Sequence, residues 1–547
     1  MIFGPVEGES FPAMSQVAVV LAAGQSTRMR SRLPKVAHPL AGRPLLAHVL
    51  AAAAAALTAT EVPVVGATHE EASPDGEDHS SLQASRLVVV LGHESDRVRA
   101  ALDTVLGLPG YTVATQHQRL GTGDAVRAAK APALAAGAEG AADTVLVLYG
   151  DTPLLRVETL ADLLATHRRE RATLSFITGL ADRPTDYGRV LRDDSGRVLG
   201  VIEERHCTPQ QKLIPEVNSG IYCFSAAWLW SRLDTLAPHP NGEYYLTDLV
   251  DLAAAEGCVL TTVTVPLSET VGVNTRIQLA EAAGIIRRRI LDDLMLSGVT
   301  VEDPASTFVD AGVRVGQDTT IAPFTTLLGT TVIGRASQIG PHSVVRDSQI
   351  GDGCLVIASW VEESVMDAGS RVGPMSHLRP GAHLEAGAYV GNFGEVKGAT
   401  IGAEVQMHHF SYIGDATIGA RSNIGAGVVT VNYDGAGKHR TEVGADAFIG
   451  SDTMLRAPLT IGDGAATGAG SVVLRDVPAG VTVAGVPARP LPPSPASSTS
   501  RSVSEPTPVD GVSEPPAARA DAAPGAAGAR KGVESAVEQA HPPQSDA

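Results

Sequence analysis

Four cations stand within eight positions of one another: Arg28, Arg30, Arg32 and Lys35. They follow a small-residue loop, Ala22 to Thr27, which itself leaves a short apolar run, Val17 to Leu21. A plain turn needs one or two small residues and no such charge. A strand ending in a Gly-rich loop presents backbone N–H groups to phosphate, and nearby Arg and Lys supply charge-assisted hydrogen bonds. The loop is neither the eight-residue P-loop pattern nor GxGxxG. A second polar set lies far along the chain. "LRPGAHL" holds Arg379, "GNFGEVKGA" holds Asn392, Glu395 and Lys397, and "HHFSYIGDA" holds His408, His409 and Tyr412. "SNIGAG" holds Asn423, and "VNYDGAGKHRT" holds Asn432, Tyr433 and Lys438. A histidine, with an ordinary pKa near 6.5, can take a proton at neutral pH.

Something must hold these residues in place. From Val17 to about Asn274, apolar strand-like runs alternate with helical patterns. Val17–Leu21, Leu87–Leu91 and Thr144–Leu148 read as strands buried on both faces, with "PLLAHVLAAAAAAL" as a helix between the first two. That alternation predicts an α/β domain with a mostly parallel, doubly wound, Rossmann-like sheet, whose ligands bind beyond the carboxyl ends of the strands. The acidic stretch Thr68 to Ser85 reads as a surface loop. Thr275 to Ser297 reads as a connecting helix carrying Ile277, Ile285, Ile286, Ile290, Leu291 and Leu294.

Beyond it the period changes to six. Val315, Ile321, Leu327, Ile333, Ile339 and Val345 keep it; so do Val372, Leu378, Leu384, Val390 and Val396, and then Val443, Ile449, Leu455 and Ile461. A helix cannot hold that period on one face, whereas a triangular coil of three short strands can. The expectation is a left-handed parallel β-helix of hexapeptide repeats. Its phase resets by one residue near Ile350, Ile401 and Ile418, and Val431 to Glu442 loops outward. Leu491 to Ala547 lacks aromatic residues, is dominated by Pro, Ser, Ala and Glu, and reads as disordered. The expected division is an extension at 1–16, an α/β domain at 17–274, a linker helix at 275–298, a β-helix at 299–490 and a tail at 491–547.

With 547 residues, the chain is long enough for two or three domains. A net charge of −18 argues against a general nucleic-acid or membrane-surface binder. Anionic substrates would then need local cations or a metal. Four cysteines without CxxC spacing read as reduced thiols of a cytoplasmic protein. The apolar stretch around Val49 to Leu57 is too short to span a bilayer. Residues 1–16 carry no Lys or Arg, which argues against a signal peptide, and Met14 is a second candidate start.

The spacing LAAGxxTRM at Leu21–Met29, followed by LPK at Leu33–Lys35, resembles the sugar-1-phosphate nucleotidylyltransferases. "QHQRLGTGDA", "LYGDTPLL", "YGRV", "VIEE", "NSGIY", "GEYYLTD" and "VGVNTR" follow in that family's order. The resemblance implies attack of a sugar 1-phosphate on the α-phosphate of UTP, with pyrophosphate leaving. It implies that Asp151 and Asn274 hold Mg²⁺, a hard cation suited to oxygen donors, while Arg28 and Lys35 cradle the triphosphate and the developing charge. Leu21, Ala22 and Gly24 would form the nucleotide loop. Gln116, Gly121 and Thr122 would bind uracil; Tyr149, Gly188, Glu203, Asn218 and Thr247 would hold the N-acetylated sugar and ribose.

The second polar set resembles the acetyltransferase half of the bifunctional UDP-N-acetylglucosamine pyrophosphorylase / glucosamine-1-phosphate N-acetyltransferases, and the combined resemblance spans about 17–487. It implies His409 as the base for acetyl transfer to glucosamine-1-phosphate. Arg379, Lys397, Tyr412 and Asn423 would bind that sugar phosphate, and Glu395 would orient His409 or the amine. Ala426, Asn432, Tyr433, Ser451 and Ala469 would line the groove for acetyl-CoA. A homotrimer with a site at each subunit junction, and a product feeding cell-wall precursors, are also implied; nucleic acid and membrane are not. The sequence departs from the family at Ser26, Asp124, Arg205–His206, His408 and Gly485, with Arg489 available to replace a contact near Gly485. His408, one position out of the motif, is expected to point away from the site. One rival reading is a single-activity nucleotidylyltransferase with a purely structural β-helix; another is a non-catalytic subunit.

Overall fold

Strand β1, Gln16–Leu21, is buried along its whole length, and alternate side chains enter different cores. Val17, Val19 and Leu21 join Val88, Val90, Val145 and Val147 on one face of the sheet. Ala18, Val20 and Ala22 join Leu87, Val89, Leu91, Leu146 and Leu148 on the other. This is the period-two geometry of a strand covered on both sides. The covers are helices. Thr122–Ala136 lays Val126, Ala129 and Ala133 on the first face, while Leu45–Ala59 and Val157–Arg169 cover the second.

The computed structural model describes residues 16–24, 27–60, 86–92, 94–136, 143–182, 184–185 and 187–492. The segment before residue 16, the acidic stretch at 68–85, Ser26 and everything beyond 492 lie outside the described residues. Gln16, placed in the extension by the sequence reading, is the first residue of β1: it pairs with Thr144, and its side chain accepts from the Thr60 hydroxyl at 2.9 Å.

The remaining strands of this domain are β2 (Pro39–Leu40), β3 (Arg43–Pro44), β4 (Leu87–Leu91), β5 (Thr112–Thr115), β6 (Thr144–Tyr149), β7 (Leu174–Leu180), β8 (Gly188–Arg192), β9 (Val198–Ile202), β10 (Glu216–Ser225) and β11 (Leu260–Thr264). The main sheet runs β11-β7-β10-β6-β1-β4-β5, with the β8–β9 hairpin attached to β10. Within it β10 runs antiparallel to β6, β7 and β8, so those three still point one way with β1, β4, β5 and β11. Chain order reverses between β1 and β6. In such sheets that switch opens a ligand crevice at the carboxyl ends of the strands.

The helix Arg276–Leu296 opens with a capping box, in which Thr275 and Gln278 satisfy each other's backbone N–H groups. Its first half sends Ala282 and Ile286 into a small core with Leu40, Leu45, Leu154 and Val273. Its second half sends Leu291 into the core of the β-helix. Ile277 is 73% exposed; it lies on neither of those faces.

From Thr300 on, short strands stack into three sheets of 12, 10 and 9 members, parallel except for the last strand. Ile321 stacks on Ile339, Ile339 on Val356 and Val356 on Val372, and the ladder continues through Val390 and Met407. These side chains form one continuous core. Buried hydroxyls two positions earlier tie successive coils together: Thr319 donates to the Gly334 carbonyl at 2.8 Å, and Ser337 to Gly351 at 3.0 Å. The shortened sides fall at Ile350, Ile401 and Ile418 as expected, where each pairs with the coil before it. Val361 and Met366 add two more. The last strand, Ala488–Pro490, folds back antiparallel on Thr482–Gly485 and closes that end.

Candidate functional site

Two constellations form, one in each domain. The first lies at the crevice of the α/β sheet. Tyr149 ends β6, Asp151 follows it, and Asn274 sits just before the helix Arg276–Leu296. The Lys35 ammonium lies between them, donating to Asp151 Oδ2 and, at 2.8 Å, to Asn274 Oδ1. A carboxylate and an amide oxygen thus converge on one positive charge. That donor set fits Mg²⁺, which takes one or two protein oxygens and completes its shell with water and phosphate. Among the described residues no cluster of three or more His, Cys, Asp and Glu could hold a metal alone. Arg28 lies on the short 3₁₀ turn Thr27–Met29, exposed and anchored by buried Met29.

The segment Leu120–Asp124 is clamped to residues 244–246. Tyr244 N–H donates to Leu120 at 2.7 Å, Gly123 N–H to Tyr244 at 2.9 Å, and Leu246 N–H to the Thr122 hydroxyl at 3.0 Å. Gly121 has φ +94°, and a Cβ there would lie 2.5 Å from the Tyr244 carbonyl oxygen. Gly121→Ala is therefore expected to cost about 1–3 kcal/mol through left-handed strain and displacement of the clamp. The check is a lowered denaturation midpoint together with slower pyrophosphate release.

Gly188 and Asn218 face each other across β8 and β10. Asn218 is engaged internally: its Nδ2 donates to the Tyr222 hydroxyl at 2.6 Å, and its Oδ1 accepts from Gly220 N–H at 3.1 Å. It shapes the irregularity in β10. Glu203 accepts from Thr247 at 3.4 Å. Burial, then the charge of Asp151, raises the Tyr149 phenol above its ordinary range, so it remains a donor. Arg205 lies over the Tyr245 ring and donates to its hydroxyl, and His206 stacks on His239. Arg205 thus joins the "GEYYLTD" segment, and His206 joins the residues just before it.

The second constellation is a groove of about 510 Å³ along one corner of the β-helix. His408, His409, Asn423, Ala426, Ser451 and Ala469 line it, with Phe448 and Thr467. Five of these are residues expected at the site. His408 is the correction. It does not point away, because the strand Gln406–Met407 ends before it and strict alternation stops at the corner. Its Nε2 donates to Gln406 Oε1 at 2.9 Å and its ring meets Tyr389 edge-on at 4.8 Å. Burial, then the neighbouring His409, lowers its pKa. Phe448 went unnoticed; its signal is its place just before Ile449, an outward position in a repeat whose neighbours line the corner.

Arg379, Lys397 and Tyr412 share the outer face of the adjoining sheet, in successive coils. Glu395 does not reach His409: it pairs with Arg379 at 2.7 Å, since it lies within the strand while His409 stands at the corner. The loop after Val431 brings Lys438 beside Lys397, and a side-chain hydrogen bond with Lys397, then its charge, lowers the Lys438 pKa. Two adjacent ammonium groups make a strong anion locus. Asn432 and Tyr433 lie on this loop, away from the lining of the groove; Asn432 donates to Asp415 at 2.5 Å, and the Tyr433 ring is exposed. Gly485 lies in the closing hairpin, and Arg489 is exposed beside it.

A MobA-like NTP transferase domain model matches residues 18–211. The chain is 44% identical over 466 residues to the bifunctional protein GlmU of Pelobacter propionicus, covering 85% of this chain and 94% of that protein. It is 43% identical over 509 residues to that of Mycobacterium tuberculosis, covering 91% and 97%, and 45% identical over 471 residues to that of Kineococcus radiotolerans, covering 86% and 89%. Likeness of this degree runs through both constellations and the helix between them, and the chain belongs to the family of bifunctional GlmU proteins.

Proposed function

We propose that residues 17–274 transfer uridylyl and residues 299–490 transfer acetyl, joined by the helix at 275–298, so that one chain makes UDP-N-acetylglucosamine from glucosamine-1-phosphate. The supporting observation is that a phosphate-and-metal constellation and an acyl-groove constellation form in separate domains of one chain.

In the acetyl step, the amine of glucosamine-1-phosphate attacks the thioester carbonyl of acetyl-CoA. His409 takes the amine proton, backbone N–H groups at the coil corners stabilise the oxyanion, and collapse expels the CoA thiolate. Arg379, Lys397 and Tyr412, with Asn423 from the groove and Lys438 from the loop, hold the sugar phosphate. Ala426, Ser451 and Ala469 present small residues to the acetyl-CoA chain, while Asn432 and Tyr433, on the loop off this groove, would meet the acetyl-CoA bound by a neighbouring copy. In the second step, N-acetylglucosamine-1-phosphate attacks the α-phosphate of UTP and pyrophosphate leaves. Mg²⁺, held by Asp151 and Asn274, neutralises phosphate charge when bound. Lys35 and Arg28 then serve the triphosphate, and catalysis is mainly positioning and charge neutralisation.

A homotrimer supports the first step: the His409 groove and the Arg379–Lys397–Tyr412 face stand on different surfaces of one chain, so a neighbouring copy completes each site. Free cysteines suit the cytoplasm, and no helix among the described residues is long and apolar enough to cross a membrane.

The deciding experiment supplies glucosamine-1-phosphate, acetyl-CoA, UTP and Mg²⁺ in one tube. Equal release of CoA thiol and pyrophosphate is expected. Pyrophosphate released only when acetylated sugar phosphate is supplied, with no thiol, would restore the single-activity reading.

A further inference from the structure

Gln116 is 93% buried, at 7% relative exposure, immediately after β5. Both its amide N–H groups are used: Nε2 donates to the Gly121 carbonyl at 3.1 Å and to Asp124 Oδ2 at 2.9 Å. A carbonyl and a carboxylate only accept, so the nitrogen end of the amide must face them. The orientation follows from chemistry rather than from the appearance of the side chain. The other Asp124 oxygen is held by Arg127, 3.6 Å away, which lies over the Tyr244 ring at 4.7 Å and donates to the Leu233 carbonyl at 3.0 Å. Among the described residues, no hydrogen bond reaches Gln116 Oε1.

We propose that Asp124 is a positioning residue that locks Gln116 with only its carbonyl oxygen presented, and so selects a pyrimidine whose N3 carries a proton. Uracil donates from N3 and matches a fixed acceptor; cytosine has a lone pair at N3 and meets the Gln116 oxygen with repulsion. A neutral amide alone could turn end for end and accommodate either base. The Gly121 carbonyl and the Asp124 carboxylate together remove that freedom, and the charged partner makes the stronger bond. A site built on one fixed polar group discriminates strongly because the wrong ligand leaves a buried group unpaired. The inference rests on the reading that Gln116 meets the base.

The test uses the full chain and measures kcat/KM for UTP and for CTP with N-acetylglucosamine-1-phosphate. Gln116→Leu should lose UTP use, which establishes that Gln116 meets the base. Asp124→Asn should lower the UTP-to-CTP ratio about tenfold or more, because Asn can donate to the Gln116 oxygen and let the amide turn. Asp124→Ser, which can also donate, should move the ratio the same way if the Asn variant folds poorly. An unchanged melting midpoint and circular dichroism spectrum for each preparation report that the α/β domain is folded. A Gln116→Leu variant that loses UTP use, alongside Asp124 variants with the parent ratio, overturns the positioning role. A Gln116→Leu variant that keeps UTP use overturns the uracil reading and the inference with it.

Discussion

Replacing His409 with alanine should slow acetyl transfer by about 10²–10⁴-fold, the usual worth of a positioned proton acceptor. Uridylyl transfer to ready-made N-acetylglucosamine-1-phosphate should continue, because the other constellation lies in the α/β domain. Raising the pH should partly restore the mutant, since more of the substrate amine then arrives neutral. His408 is the control that gives this result its meaning, because both rings line the groove. His408 is tied to Gln406 and Tyr389, and burial, then the neighbouring His409, lowers its pKa. His408→Ala should therefore cost far less. Thiol release assays on the two variants decide the matter: a crippled His408→Ala beside a nearly normal His409→Ala would give the proton transfer to His408 and overturn the assignment.

Asp151→Ala and Asn274→Ala should each reduce uridylyl transfer by about 10²-fold or more while acetyl transfer continues, since each removes an oxygen that would hold the charge-neutralising cation. The arrangement around Lys35 sharpens the expectation. Its ammonium bridges the two oxygens, so removing Asp151 also leaves a cation without its carboxylate. Pyrophosphate and CoA thiol measured in the same preparation separate the two steps. Equal loss of both in a folded chain would contradict independent sites.

Much of the architecture was legible because local patterns repeat. Val17–Leu21 declares a strand buried on both sides, and the sixfold aliphatic period declares the coils. The extra short sides at Val361 and Met366 were not legible, because "LVIASWVEESVM" has no glycine to mark its corners. Lys35, Asp151 and Asn274 stand 116 and 239 positions apart; periodicity could not join them, and only the family resemblance placed them together. The rule of alternation misplaced His408 because it holds along a strand and fails at a corner. Asp124 registered only as a departure, since its bond to Gln116 depends on a helix N-terminus meeting a buried loop.

The helix Arg276–Leu296 has a consequence for how the molecule comes apart. In a stack of coils each layer leans only on its neighbours, so melting starts at a free end and runs inward. One end of this stack is not free: Leu291 plugs it, and the same helix is riveted into the other domain by Ala282 and Ile286. Among the described residues, the far end is closed by one folded-back strand. Heat therefore peels the stack from the Gly485 side. Ala469 and Ser451 go early, whereas Arg379 and Lys397, several coils deeper, outlast them. Limited proteolysis during warming is therefore expected to cut the groove wall at Ser451 and Ala469 before the Arg379–Lys397 face.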